Sequence, residues 1–241
     1  MLAAAPAPIC SGPVWAFPLA AAIVAALFAV ALARDFVARR RSYQAIWAAA
    51  LLMYAAASVA VALGAANEWT SAEFRVYWTL GAVLNVPFLA QGELDLLIYQ
   101  RPVRWGLYVL LAFVTAYTIA VVRTAEIDGA ALAKELPSGK DVFGDGSAAH
   151  RLPQLVAIPA YVVLLAGTTW SAWRMRGRRE LRGRFWGTLL IALGATVIAG
   201  FGSAFAALGR LVPFSVALLV GISVMFAGFL RATRSAPPQP R

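Results

Sequence analysis

At 241 residues the chain is long enough for one or two soluble domains, but 61% of it is hydrophobic and only 13% charged, against a soluble average of roughly 45–50% and 25%. Seven membrane spans of about 20 residues each would use about 140 residues and leave too little for an added globular domain of typical size, which excludes a large soluble enzyme domain. A single cysteine, Cys10, and a single histidine, His150, exclude an intrachain disulfide, a bis-His haem and a Cys/His zinc site, so no cofactor is expected.

Read along the chain, the apolar runs predict spans at Val14–Ala33, Tyr43–Leu63, Val76–Leu97, Trp105–Val122, Pro153–Trp173, Phe185–Leu208 and Leu211–Leu230. The expected fold is an all-α bundle of seven transmembrane helices, forming one membrane domain over residues 14–231. Met1–Pro13 carries no charged side chain, so the first span reads as a retained reverse anchor with an external N-terminal segment rather than a cleaved signal peptide. Residues 232–241, rich in proline, are expected to be a disordered cytoplasmic tail.

The net charge of +10 gains its meaning from where the cations fall. Connectors on one side of the predicted spans hold Arg34, Arg39, Arg40, Arg41, Arg101, Arg104, the six arginines of 174–184, Arg231, Arg234 and Arg241. Those fifteen outnumber the six on the other side, which also carries seven carboxylates. The positive-inside bias places the fifteen in the cytoplasm, the N-terminus outside and the C-terminus inside. The basic runs then face anionic lipid of a bacterial cytoplasmic membrane, and nucleic acid is not an expected partner. Trp15, Trp69 and Trp78 fall at the expected outer boundary and Trp47, Trp105, Trp170, Trp173 and Trp186 at the inner one, as interfacial indoles do.

Ionisable groups inside a span are costly and rare, and the third span alone contains them, with Asn85, Gln91, Glu93 and Asp95 around Pro87 and Gly92. At 100° per residue Glu93 and Asp95 lie about 200° apart, while Asn85 and Glu93 differ by about 80°. A helix polar on two sides needs protein all round it, so helix three is expected at the middle of the bundle. Glu93 lies about 22 Å below Trp78, and it reads either as a neutral or intermittently protonated binding group or as the structural partner of an arginine. Asp95, nearer the inner boundary, reads as an ion pair with Arg101, Arg104 or the loop between helices five and six. Pro87 removes the donor for the Val83 carbonyl, which predicts a kink or break.

The external loop 123–152 is expected to be a solvated acidic segment with a short turn at Ala130–Glu135. Asp141–Gly146 has a faint calcium-loop pattern, but Phe143 and Leu152 stand where acidic ligands belong, so no metal is expected. Hydroxyls at Tyr54, Tyr117, Tyr161, Thr115, Thr168, Thr169, Thr196, Ser203 and Ser223 are available to line a cavity with the third-helix groups. In helix six, Ala195, Ala199, Ser203 and Ala207 offer a small-residue stripe for close helix approach.

The stretch Phe74–Leu89, reading FRVYWTLGAVLNVPFL, resembles the third span of uncharacterised seven-helix membrane proteins of high-GC bacteria. An Ala-rich composition with 19 Arg to 2 Lys fits that source. The resemblance implies the seven-span topology and brings no activity. The span number and direction also resemble those of microbial rhodopsins. The predicted seventh span lacks a retinal-binding lysine, however, since Lys134 and Lys140 both lie in the external loop; retinal-based pumping is rejected. The sequence supports a non-catalytic binder of a lipophilic ligand or partner membrane protein. Its alternatives are an ion- or proton-coupled carrier using Glu93 and Asn85, and a lipid-modifying intramembrane enzyme.

Overall fold

Apolar segments with no water to satisfy their backbone can bury their N–H and C=O groups only in helices or closed barrels, and the described residues of this chain take the helical route. The computed structural model describes residues 13–234; the expected N-terminal segment with Cys10, up to residue 12, and the tail from residue 235 lie outside the described residues. Among the described residues there are helices and turns and no strand. The long helices are α1 (Ala16–Arg39), α2 (Ser42–Ala66), α3 (residues 71–97) and α4 (Arg101–Thr124). A one-turn helix α5 (Gly139–Phe143) precedes α6 (Ala148–Met175), α7 (Arg182–Ala207) and α8 (Leu211–Arg234).

Six of these, all but α3 and α5, are long and apolar enough to cross a membrane. Asn85, Gln91, Glu93 and Asp95 keep α3 out of that set. Most helices overrun the predicted apolar spans at the basic end. Arginine is a good helix former, and only the hydrocarbon, not the helix, stops where charge begins. Thus α1 continues through Arg34–Arg39, and α8 runs to Arg234, past the expected start of the tail at 232.

The helices close into a ring. α1 packs on α2, α2 on α3, α3 on α6, α6 on α7, α7 on α8 and α8 back on α1, while α4 rests outside the ring against α3. Helix α3 is therefore covered on several sides, as its polarity requires, but the middle of the bundle is a small cavity and not α3 itself.

The α7–α8 seam corrects the expected alanine stripe. Ser203 and Ala207 face outward, and the close approach is made by glycines. A Cβ on Gly194 would stand 2.4 Å from the Gly221 carbonyl oxygen, and one on Gly187 2.6 Å from that of Gly228. The two pairs repeat every seven residues on antiparallel helices, so one face of each helix lets backbone meet backbone.

Helix α3 opens with a capping box. Thr70 Oγ1 accepts the Glu73 N–H at 3.2 Å and Glu73 Oε2 accepts the Thr70 N–H at 2.9 Å. Its residues Tyr77–Leu84 form a π-helical stretch, at whose end the Asn85 N–H reaches back to the Leu80 carbonyl. Of the expected kink or break at Pro87, the break does not occur: wider turns lie just before it and the chain stays helical to Leu97. Further π stretches interrupt α6 at Pro153–Ala157 and α7 at Val197–Gly202.

The loop between α4 and α6 is folded, not merely solvated. Leu132, Leu136, Val142, Phe143, Ala149 and Leu152 are buried. Two tryptophans assigned to the outer boundary pin this loop. Trp69 is 5% exposed and donates its indole N–H to the Glu135 carbonyl; Trp78 is 9% exposed and donates to that of Ala149. Gly139 is required beneath Trp78, since a Cβ there would lie 2.0 Å from the ring. Phe74, Tyr77 and Phe143 pack edge to face or tilted around the two indoles, apart from the stacked pair Phe74–Trp78. At the loop's polar surface Asp141 accepts from Lys134 at 2.8 Å and Asp145 pairs with Lys140.

Candidate functional site

Glu93 and Asp95 occupy different compartments of α3, as their 200° separation dictates. Glu93 points into the ring. It is 3% exposed, and its Oε1 accepts a 3.0 Å hydrogen bond from Ser171 of α6. Gly167, one turn earlier in α6, lets the two helices close on it, since a Cβ at 167 would stand 2.6 Å from Glu93 Cγ. Among the described residues no lysine or arginine nitrogen comes within ion-pair reach of Glu93.

Beside the carboxyl lies a cavity of about 30 Å³, lined by Phe28, Trp47, Leu89, Glu93, Thr168 and Met225 among others, with walls from α1, α2, α3, α6, α7 and α8. That is room for about two waters. Glu93 is its one ionisable wall. Thr168, the hydroxyl nearest to the expectation of a polar lining, donates instead to its own helix at the Leu164 carbonyl. Trp47, expected at the inner boundary, packs between α2 and α3 with its indole N–H on the Leu89 carbonyl. Gly92 makes that possible, because any Cβ there would lie 2.2 Å from the indole nitrogen.

Asp95 faces the other way, toward α2 and α4. Its side chain is fully covered, and its Oδ2 accepts from Ser42 at 2.8 Å, from Tyr108 and from Arg104 at 3.3 Å, while Oδ1 accepts from Gln91 at 3.2 Å. Arg104 also donates to Ser42 Oγ at 2.8 Å. Four side chains from three helices thus satisfy one buried carboxylate, the condition under which a buried charge is tolerable. Of the cations expected for Asp95, Arg104 is the partner.

The expected cluster of four therefore divides. Gln91 joins Asp95, Glu93 stands alone at the cavity, and Asn85 turns to α2, donating to the Ala50 carbonyl at 2.7 Å. Asn85 and Glu93 do not share a site. Most of the remaining hydroxyls lock helices or face outward: Tyr54 donates to the Leu218 carbonyl, Tyr161 to Thr196, Thr115 to its own helix, and Tyr117 points away from the ring. Sequence reading missed Ser171, Ser42 and Tyr108. A signal existed for Ser171, which follows Gly167 at i+4 and so shares a face with it.

On the outer flank of α6 runs a second feature, a groove of about 530 Å³ lined by Val162, Leu165, Ala166, Thr169, Trp170 and Trp173. Apart from the Thr169 hydroxyl and the indole N–H groups it is hydrocarbon. Among the described residues no cluster of three or more His, Cys, Asp or Glu is arranged to hold a metal. No family model, curated protein or solved structure matches the chain.

Proposed function

We propose that the chain is a seven-span protein of a bacterial cytoplasmic membrane, N-terminus outside, that acts as a non-catalytic binder of a lipophilic ligand. Support for the seventh span comes from α3. Its 27 residues reach about 40 Å, enough for a hydrocarbon core of about 30 Å, and Asn85, Gln91 and Glu93 are buried against protein. Support for the orientation is the cation split, joined by the way the ends sort. Ser42, Asp95 and Arg104 bring three helix ends together on the basic side, and Trp69 meets Glu135 on the other.

One observation carries the binding reading: the space inside the ring is about 30 Å³, while a much larger groove, about 530 Å³, opens sideways along α6. Nothing larger than a water or two fits beside Glu93, and a hydrophobic molecule fits the flank. Native mass spectrometry of the protein released from detergent tests this. A lipophilic adduct should persist, and replacing Ala166 with Trp to fill the groove should remove it. A wild-type spectrum without adduct under conditions that keep the fold would defeat the reading.

A second reading keeps Glu93. A solitary carboxyl with one hydroxyl partner, next to room for about two waters, suits a proton and no larger solute. In proteoliposomes carrying an internal pH dye, a proton flux lost in Glu93→Gln would favour this carrier over the binder. Flux equal to that of empty liposomes would remove it.

A further inference from the structure

We propose that the α6 groove is a site for an anionic phospholipid, its acyl chain along Val162–Trp173 and its phosphate held by Arg174, Arg176 and Arg178. The inference rests on the lipophilic-ligand reading and names the ligand's class.

Length comes first. From Val162 to Trp173 the groove spans about 16 Å of helix, close to half of a hydrocarbon core of about 30 Å. It is one leaflet deep. An acyl chain of the leaflet nearest the arginines matches it, whereas a transmembrane partner helix would need a face running the full thickness.

Charge supplies the other end. The groove closes on Trp170 and Trp173, 58% and 67% exposed, indoles of the kind that settle at headgroup level. Arg174 follows Trp170 by one turn. Helix α6 then ends, with the Arg176 N–H on the Trp173 carbonyl, and Gly177, at φ +82°, turns the chain so that Arg178 follows beside the same helix end. A bare helix C-terminus repels anions; three arginines placed there reverse its sign. All three are exposed, and among the described residues none of them has a carboxylate within ion-pair distance. Arg182 and Arg184, also exposed, begin α7 across the connector, and Glu180 is that connector's one acid. Arginine forks recognise phosphate oxygens in pairs, and a basic pocket at the end of a membrane helix is the arrangement that takes an anionic headgroup.

Quenching of tryptophan by brominated acyl chains tests the site in nanodiscs of unlabelled phosphatidylcholine. The Trp170→Phe/Trp173→Phe protein serves to subtract the other indoles. Titrated into wild-type protein, brominated phosphatidylglycerol should saturate the α6 signal at roughly tenfold lower mole fraction than brominated phosphatidylcholine. The variant Arg174→Gln/Arg176→Gln/Arg178→Gln should lose that preference while still being quenched by both lipids, and its Arg→Lys counterpart should recover part of it. Equal titration of the two lipids by wild type, or a preference that survives the triple glutamine variant, overturns the anionic site and leaves the lipophilic-ligand reading standing. Quenching by either lipid that never saturates overturns both. Soluble glycerol phosphate should not compete; if it abolishes the preference, the arginines serve a free phosphate and the lipid assignment falls.

Discussion

Glu93 and Asp95 are two residues apart and meet opposite fates, because a helix turns them toward different neighbours. Asp95 has an arginine and three other donors, so Asp95→Asn should leave Arg104 without its counter-charge and cost about 3 kcal/mol, read as a large fall in thermal midpoint. Glu93→Gln strands nothing: the amide oxygen still accepts from Ser171, and no cation loses a partner. Its thermal midpoint should stay near that of wild type while the proton flux, if Glu93 carries it, disappears. An equal loss of stability in both variants would contradict the separation of the two sites. Outside the membrane, the Lys134 ammonium and the Ser138 hydroxyl hold the Asp141 carboxyl below its ordinary value of 3.8. A depressed carboxylate stabilises the fold above its unfolded pKa and loses that contribution as pH falls through the folded one. Hydrogen exchange in residues 129–145 should therefore be flat from neutral pH to about 5 and accelerate below about 4, beyond the intrinsic pH trend, and Asp141→Asn should remove that step.

At the scale of the helix, periodicity predicts where side chains point better than what they meet. The angles between Asn85, Gln91, Glu93 and Asp95 could be computed from spacing, and the two-sided polarity of α3 followed. The identity of the partners could not, since Ser42, Tyr108 and Ser171 lie 53, 13 and 78 positions away from the carboxyls they bond. The partners of the tryptophans were hidden for a related reason. Trp105, Trp170 and Trp173 sit outward near helix ends as an interfacial belt would, but Trp47, Trp69 and Trp78 have the same local sequence character and are taken inward by carbonyls distant in the chain. Gly64, Gly92 and Gly139 were the readable sign, each leaving space that one of those indoles fills. The glycine seam between α7 and α8 makes a sharper prediction. Because Gly194 faces a backbone oxygen, which cannot swing aside, Gly194→Ala should push the helices apart at a cost of about 1–3 kcal/mol, whereas Gly200→Ala, with open space around it, should cost no more than a few tenths. Similar losses in both would argue against close packing at the seam.

For the molecule as a whole, the all-helical, multi-pass character follows from composition, and so it was the most legible part of the fold. The ring order was not, because nothing in the chain's pattern announces that α4 is left outside while α3 joins α6. Direction has a direct check. In a Cys10→Ala background, Ala133→Cys should react with an impermeant maleimide on intact cells and Glu180→Cys should react only after permeabilisation; the reverse labelling would invert the protein.

Helix α4 gives the molecule a mechanical property. Near its start Arg104 and Tyr108 engage Asp95, and at its end Arg75 of α3 donates to the carbonyls of Val122 and Ala125. Between those points Val109, Leu110, Phe113, Tyr117 and Ile119 face outward. It is a strut of about 36 Å pinned at both ends and bare along its length. A bilayer that thins or thickens tilts such a strut, and the tilt must pull on the Asp95 cluster and on the base of the loop between α4 and α6 together. Hydrogen exchange of residues 125–147 should accordingly differ between short-chain and long-chain phosphatidylcholine bilayers. Arg75→Ala, which frees the upper pin, should leave that loop indifferent to thickness while α4 still anchors at Asp95.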